Sequence, residues 1–252
     1  MTLHHEITGS GRKVVLIHSL ALDASVWRRV TPLLDAEVLT YDCRGHGRSG
    51  SEGTTDFTTA LFADDLAGLL DSVGWESATI VGCSMGGCVA QDFAIRHPHR
   101  TDALGLVDTT AWYGQDAPRA WAERATTARD KGLPALIPFQ LTRWFGEDFL
   151  AREQELAEDL TRIFVANDVD SYAATCHMLG AADLRDGLAK VRVPATVVVG
   201  EHDPATPVGM AEELVALLDG PPLTVIPGGR HLTPLEAPER IAAAITELLG
   251  RA

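Results

Sequence analysis

An α/β fold, with a mostly parallel central sheet covered by helices on both faces, is the architecture this sequence predicts. Three patterns point to it: short β-branched runs ended by turn residues, helix-period segments between them, and one long stretch where the alternation stops. The runs are Lys13–Ile17, Glu37–Tyr41, Ala78–Val81, Ala103–Val107, Ala195–Val199 and Leu223–Ile226, each bounded by Gly, Pro, Asp or Ser. Residues 57–73 place Leu61, Phe62, Leu66, Leu69, Leu70 and Val73 on one helical face, and residues 237–249 do the same with Ile241, Ile245, Leu248 and Leu249. Strands separated by helices need crossover connections, which make neighbouring strands parallel.

The alternation stops over residues 111–190, where four tryptophan-, proline- and charge-containing helical stretches run on without a convincing strand. This predicts a core built from residues 1–110 and 191–252 and a helical lid inserted at 111–190. A lid there would cover the carboxyl ends of the strands, where open α/β sheets bind their ligands. A chain of 252 residues, 46% hydrophobic and 22% charged, suits one such globular unit.

Composition also narrows the function. A formal net charge of −14 opposes approach to phosphates, so neither nucleic acid nor an anionic membrane surface is expected as a partner. The longest apolar runs, such as Val14–Ile17, are strand-sized and too short to span a bilayer. The start of the chain has no basic segment leading into an apolar stretch, so a cytoplasmic location is expected. Cys43, Cys83, Cys88 and Cys176 form no C-x-x-C pair and no zinc-type spacing, which reads as four small buried thiols with no metal site. The pattern is compatible with a monomer or a homo-oligomer.

Gly82-Cys83-Ser84-Met85-Gly86 matches the G-x-S-x-G turn that lifts a serine hydroxyl above a sheet. Its context fits: a strand-like SATIV precedes it, and the helix-like MGGCVAQDFAIRH that follows is stopped by Pro98. A serine hydroxyl is a weak nucleophile at neutral pH and needs a histidine base held in one tautomer by an acid. In this strand order the acid comes before the histidine. Asp203 follows the Ala195–Val199 strand and His231 follows Leu223–Ile226, so both sit at strand-to-loop junctions. Glu201 and Asp219 compete with Asp203 for the acid, and His97, His99 and His202 read as surface histidines. The oxyanion needs two backbone N–H donors, one from the residue after the nucleophile and one from an early strand-end loop, which assigns Met85 and Leu20.

With these segments in view the chain resembles the α/β-hydrolase superfamily and, more narrowly, the 3-oxoadipate enol-lactonases. LIHSLALD at 16–23, YDCRGHGRS at 41–49, GCSMGGCVAQ at 82–91 and the Asp203 and His231 segments carry the resemblance, with DTTAWYG, RWFGEDF and SYAATCHMLGAADLRD in the lid. It departs at His18, where these lactonases often have asparagine, and at the TPLE of 233–236. The resemblance implies hydrolysis of a small enol-lactone ring in the catabolism of aromatic acids, through an acyl-enzyme and without a metal or organic cofactor. A carboxylesterase, another lactonase, a carbon–carbon bond hydrolase and a catalytically silent receptor are the alternatives on the same fold. An enol-lactone of this kind carries a carboxylate, so the site should hold a cation; Arg143 is the candidate, with Ser19 and Trp144 as further substrate-binding candidates.

Overall fold

The computed structural model describes residues 2–54 and 56–252. Seven strands form one sheet in the order β1-β3-β2-β4-β5-β6-β7, with β1 (His5–Thr8), β2 (Lys13–Ile17), β3 (Glu37–Tyr41), β4 (Ala78–Cys83), β5 (Thr101–Val107), β6 (Ala195–Gly200) and β7 (Leu223–Ile226). All neighbours pair in parallel except β1, which runs antiparallel to β3 with Ile7 opposite Leu39. The six runs found in the sequence are six of these strands. β1 is the one missed: HEIT is a short, mostly exposed edge segment, so it lacks the apolar signal that marks an interior strand. The interior strands β4 and β6 are buried at every residue, as a sheet covered on both faces requires.

Helix α1 (Thr59–Ser72) starts where the Thr58 side chain accepts the Leu61 N–H at 3.0 Å and buries Phe62, Leu66, Leu69 and Leu70. Helix α2 (Met85–Arg96) follows β4 and ends at His97, ahead of Pro98. The chain between β5 and β6 is helical: α3 (Ala117–Lys131), α4 (Ile137–Trp144), α5 (Glu147–Arg152), α6 (Gln154–Val165), α7 (Val169–Ala181) and α8 (Arg185–Leu188). The excursion is thus cut into more pieces than the four stretches expected, because Gly132, Gly146 and the Asn167-Asp168 pair interrupt it. Then come α9 (Val208–Leu217), α10 (Thr233–Glu236) and α11 (Pro238–Leu249). Helix α2 packs against both α1 and α8, while α11 touches α10 and a short 3-10 helix at Thr31–Leu33, and α10 touches another at Ala24–Trp27. No helix among the described residues is long and apolar enough to cross a membrane.

Candidate active site

Strand ends bring the chemistry together. Ser84 sits between β4 and α2 with φ 55° and ψ −116°, a conformation that a residue with a Cβ adopts only under constraint. The constraint is close packing: a Cβ at Gly82 would collide with the Gly86 carbonyl, and one at Gly86 with the Ile17 carbonyl at the end of β2. Only glycine at both places lets the turn close and aim the hydroxyl outward over the sheet.

The Ser84 Oγ lies 2.8 Å from His231 Nε2, and His231 Nδ1 lies 2.7 Å from Asp203 Oδ2. With Nδ1–H donated to the carboxylate, Nε2 is left with a lone pair facing the serine hydroxyl, the tautomer a general base requires. Asp203 is buried. Its Oδ1 accepts the Ala205 and Thr206 N–H groups at 2.7 and 3.1 Å, and its Oδ2 also accepts the Thr206 hydroxyl at 2.8 Å. Burial raises its pKa, but His231 and these donors outweigh that and hold the carboxyl below its usual range. Glu201, the competing acid, is exposed and accepts the Gly228 N–H at 2.8 Å. His97 faces Asp64 at 3.1 Å on the outside of the molecule.

Of the two predicted oxyanion donors, Leu20 lines the cavity that Ser84 opens into, and Met85 directly follows Ser84. Met85 opens α2, so its N–H has no intrahelical acceptor. Leu20 follows Ser19, whose carbonyl accepts His18 Nδ1–H at 2.7 Å; His18 Nε2 in turn accepts the Cys43 N–H at 2.8 Å. In a trans peptide the C=O and N–H point opposite ways, so anchoring the Ser19 oxygen to His18 turns the Leu20 N–H away from it. One residue further, the Ala21 carbonyl accepts the Asn167 side-chain amide at 2.8 Å, a tie from the α6–α7 turn to this loop.

Over these groups lies a narrow cavity. Ser19, Leu20, Ser84 and His231 form its floor, and Arg124, Gln140, Arg143 and Trp144 of α3 and α4 close it from above. Helix α4 is fastened to the histidine loop from both sides of His231, by Leu232 N–H to the Trp144 carbonyl at 3.3 Å and by the Arg230 guanidinium to the Thr142 carbonyl. Trp144 is buried and meets Phe164 edge-on, 5.6 Å between centroids, so it both packs the helices and lines the cavity. Burial and the neighbouring Arg124 push the Arg143 pKa down, the mark of a cation short of a partner. Arg124 was missed by the sequence. It donates to the Tyr172 hydroxyl at 2.6 Å and the Gln140 side-chain oxygen at 2.8 Å, both neutral. An arginine in the polar run AWAERATTARDK looks like a solvated helix face; Trp121, three residues earlier and 5.0 Å from the guanidinium carbon, is the only sequence hint otherwise.

The four cysteines are buried and unpaired, and no cluster of three or more His, Cys, Asp or Glu among the described residues is arranged to hold a metal ion.

A serine, histidine and aspartate at successive strand ends under a roof of helices is the layout of the alpha/beta hydrolase family. The model of that family matches residues 14–244, and the chain belongs to it. Along its whole length the chain is 29% identical to 3-oxoadipate enol-lactonase 2 of Acinetobacter baylyi and covers 94% of that protein. The enol-lactonase of Burkholderia xenovorans is 32% identical and superposes with a TM-score of 0.94 over 98% of this chain and 96% of its own. An esterase of Thermogutta terrifontis, solved with malate bound, is 30% identical and superposes at 0.90 over 98% and 92% of the two chains.

Proposed function

We propose that this protein is a serine hydrolase that opens a small anionic lactone, of the 3-oxoadipate enol-lactone type, through an acyl-enzyme on Ser84. The observation that carries the substrate class is the pair Arg124 and Arg143, which line the Ser84 cavity with no carboxylate within ion-pair reach among the described residues. Two half-buried guanidinium groups side by side without a counter-ion are unfavourable unless a ligand supplies one. The A. baylyi and B. xenovorans enol-lactonases and the malate-bound esterase support an anionic substrate by likeness.

In this reading Ser84 Oγ attacks the ring carbonyl as His231 Nε2 takes its proton, and the Leu20 and Met85 N–H groups receive the oxyanion. The ring C–O bond breaks, the enol oxygen takes the proton from His231, and the enol settles to a ketone still tethered in the acyl chain. Water then gives a proton to His231 and its oxygen to the acyl carbon, and Ser84 leaves with that proton. Residues 111–190 act as the lid over a core of 1–110 and 191–252, and Trp144 and Ser19 shape the space beside the ring.

The test is hydrolysis of the enol-lactone, a neutral ester of similar size and a vinylogous diketone by wild type and Ser84→Ala. Expected are turnover of the lactone by wild type, and loss of both turnover and fluorophosphonate labelling in the variant. A folded Ser84→Ala protein that still labels fully overturns the nucleophile. Ester or diketone turnover without lactone turnover moves the substrate to a carboxylesterase or carbon–carbon hydrolase class.

A further inference from the structure

Three residues at the end of β5 touch every segment that carries the Ser84, Asp203 and His231 chemistry. The Val107 carbonyl accepts the Ser84 N–H at 2.9 Å, and Thr109 Oγ1 donates to the Ser84 carbonyl at 2.7 Å, so both backbone polar groups of the serine are held from this one place. Asp108, between them, is fully buried and adopts φ 47°, a left-handed conformation that sends its carboxylate sideways along the strand ends. Asp108 Oδ1 accepts the Gly200 N–H at 3.0 Å, three residues before Asp203. Asp108 Oδ2 accepts both the Thr233 N–H at 2.9 Å and the Thr233 hydroxyl at 2.7 Å, two residues after His231. Its own N–H donates to the Val198 carbonyl on β6 at 2.9 Å, so the clamp is itself fastened to the sheet.

We infer that Asp108, with Thr109 and Thr233, is a positioning device: it fixes the serine, histidine and aspartate segments in one frame, so that the two short bonds between them form without rearrangement in each turnover. The geometry gives the reason. Ser84, Asp203 and His231 come from three separate connections, and the loop of His231 follows the edge strand β7, which pairs with the sheet on one side only. A strand end whose consecutive residues Val107, Asp108 and Thr109 together reach all three removes their relative freedom, and displacement of a catalytic group by about 1 Å costs on the order of 10²-fold in rate. Burial and the nearby Asp203 push the Asp108 pKa well up, opposed by the Thr233 and Gly200 donors; the carboxyl suits this task because its two oxygens accept from these N–H and O–H groups at once. Asparagine could keep one oxygen on Thr233 but would turn an NH₂ toward the Gly200 N–H, donor against donor.

This inference rests on the serine-hydrolase reading, and its test is separable from that reading. Wild-type turnover and its loss in Ser84→Ala decide the reading; substitutions that leave Ser84, Asp203 and His231 intact decide the clamp. Thr109→Val and Thr233→Val each delete one hydroxyl at nearly constant volume, and each should lower kcat by about tenfold with KM unchanged and slow fluorophosphonate labelling by the same factor. Thr109→Ser and Thr233→Ser keep the hydroxyl and should remain within about twofold of wild type. Asp108→Asn should lose about 10²-fold in kcat; if it fails to fold, the threonine pairs alone decide. Folded valine variants with wild-type kcat, or serine variants that lose as much as the valine ones, overturn the clamp.

Discussion

The sheet and the inserted helices contribute to the cavity in different ways. From the sheet come Ser84, Asp203 and His231, each just past the end of a strand whose backbone is locked into a parallel ladder. From the helices between β5 and β6 come Arg124, Gln140, Arg143 and Trp144, placed by helix packing and by side-chain contacts such as Arg124 on Tyr172 and Trp144 on Phe164. A ladder tolerates little displacement, whereas helices of an insertion can be re-cut or re-faced while the sheet stays whole. On the proposed reading, the chemistry belongs to the part of the molecule that is hardest to change, and recognition to the part that is easiest. This division accounts for one fold serving enol-lactonase and esterase relatives alike.

If that division holds, damage to the strand-end machinery should fall equally on all substrates. Asp203→Asn keeps the shape of the side chain but no longer holds His231 in the useful tautomer, and should lower kcat by roughly 10⁴-fold on a neutral ester and an anionic lactone alike. Glu201→Gln, at an exposed residue that meets the Gly228 N–H and lies 3.9 Å from His202, should leave kcat within about twofold. Steady-state rates on the two substrates check both, and a larger loss from Glu201→Gln than from Asp203→Asn would overturn the choice of acid.

Damage to the helices should be selective. Arg143→Ala and Arg124→Ala should raise KM for an anionic lactone and leave KM for the neutral ester close to wild type. A charge-assisted hydrogen bond is worth about 1.5–3 kcal/mol, which corresponds to roughly 10- to 150-fold in KM. Arg143, with no hydrogen-bond partner among the described residues, should show mainly this effect. Arg124 also ties α3 to α4 and α7 through Gln140 and Tyr172, so its variant should lower thermal stability as well. Equal KM changes on both substrates would make the arginines packing residues and erase the division.

The same division governs what the sequence discloses. Strands announce themselves by β-branched runs, and a serine on a strand-to-helix turn is marked by glycines that steric collision makes obligatory, so the six interior and far-edge strands, Ser84, Asp203 and His231 were all legible. β1 was not, because a polar edge strand gains its order from pairing with β3, a contact with no local signature. Arg124 and Asp108 were not legible for the same kind of reason. One reads as a surface helix residue and the other as a turn residue after a strand; only the tertiary fold buries the first beside Arg143 and points the second at Gly200 and Thr233. Arg143 was proposed through the substrate that the resemblance implies, and no periodicity in α4 distinguishes it.

The seam where the two regions meet offers the smallest effect, invisible at neutral pH. His18 and His46 lie with ring centroids 5.2 Å apart, His46 within the loop of residues 43–51, which packs so closely on α7 that a Cβ at Gly45 would come within 2.8 Å of Ser171. Burial, reinforced by neighbouring His18, pushes the His46 pKa down from 6.5 to about 3, and burial lowers that of His18 as well. His18 is also committed by its bonds, because Nε2 accepts the Cys43 N–H and has no place for a proton. Both rings are therefore neutral in the folded protein, while in the unfolded chain they bind protons as pH falls below their ordinary value. Between about pH 6 and 4.5 the unfolded state holds more protons, and stability should fall on acidification by up to about 1.4 kcal/mol per pH unit for each such histidine. Asp203, whose pKa is lowered, contributes stability that is lost only as pH falls below the ordinary carboxylate range, whereas burial raises the pKa of Asp108 and Glu236 and gives a dependence of opposite sign, so the histidine's share is read from the difference between wild type and a variant lacking it. His46→Asn removes one titrating ring. Denaturant unfolding across pH 6 to 4.5 should then show a slope shallower than wild type by about one histidine's share. Equal slopes for the two proteins would mean that His46 takes up its proton without unfolding, and that the seam opens to water well before the sheet does.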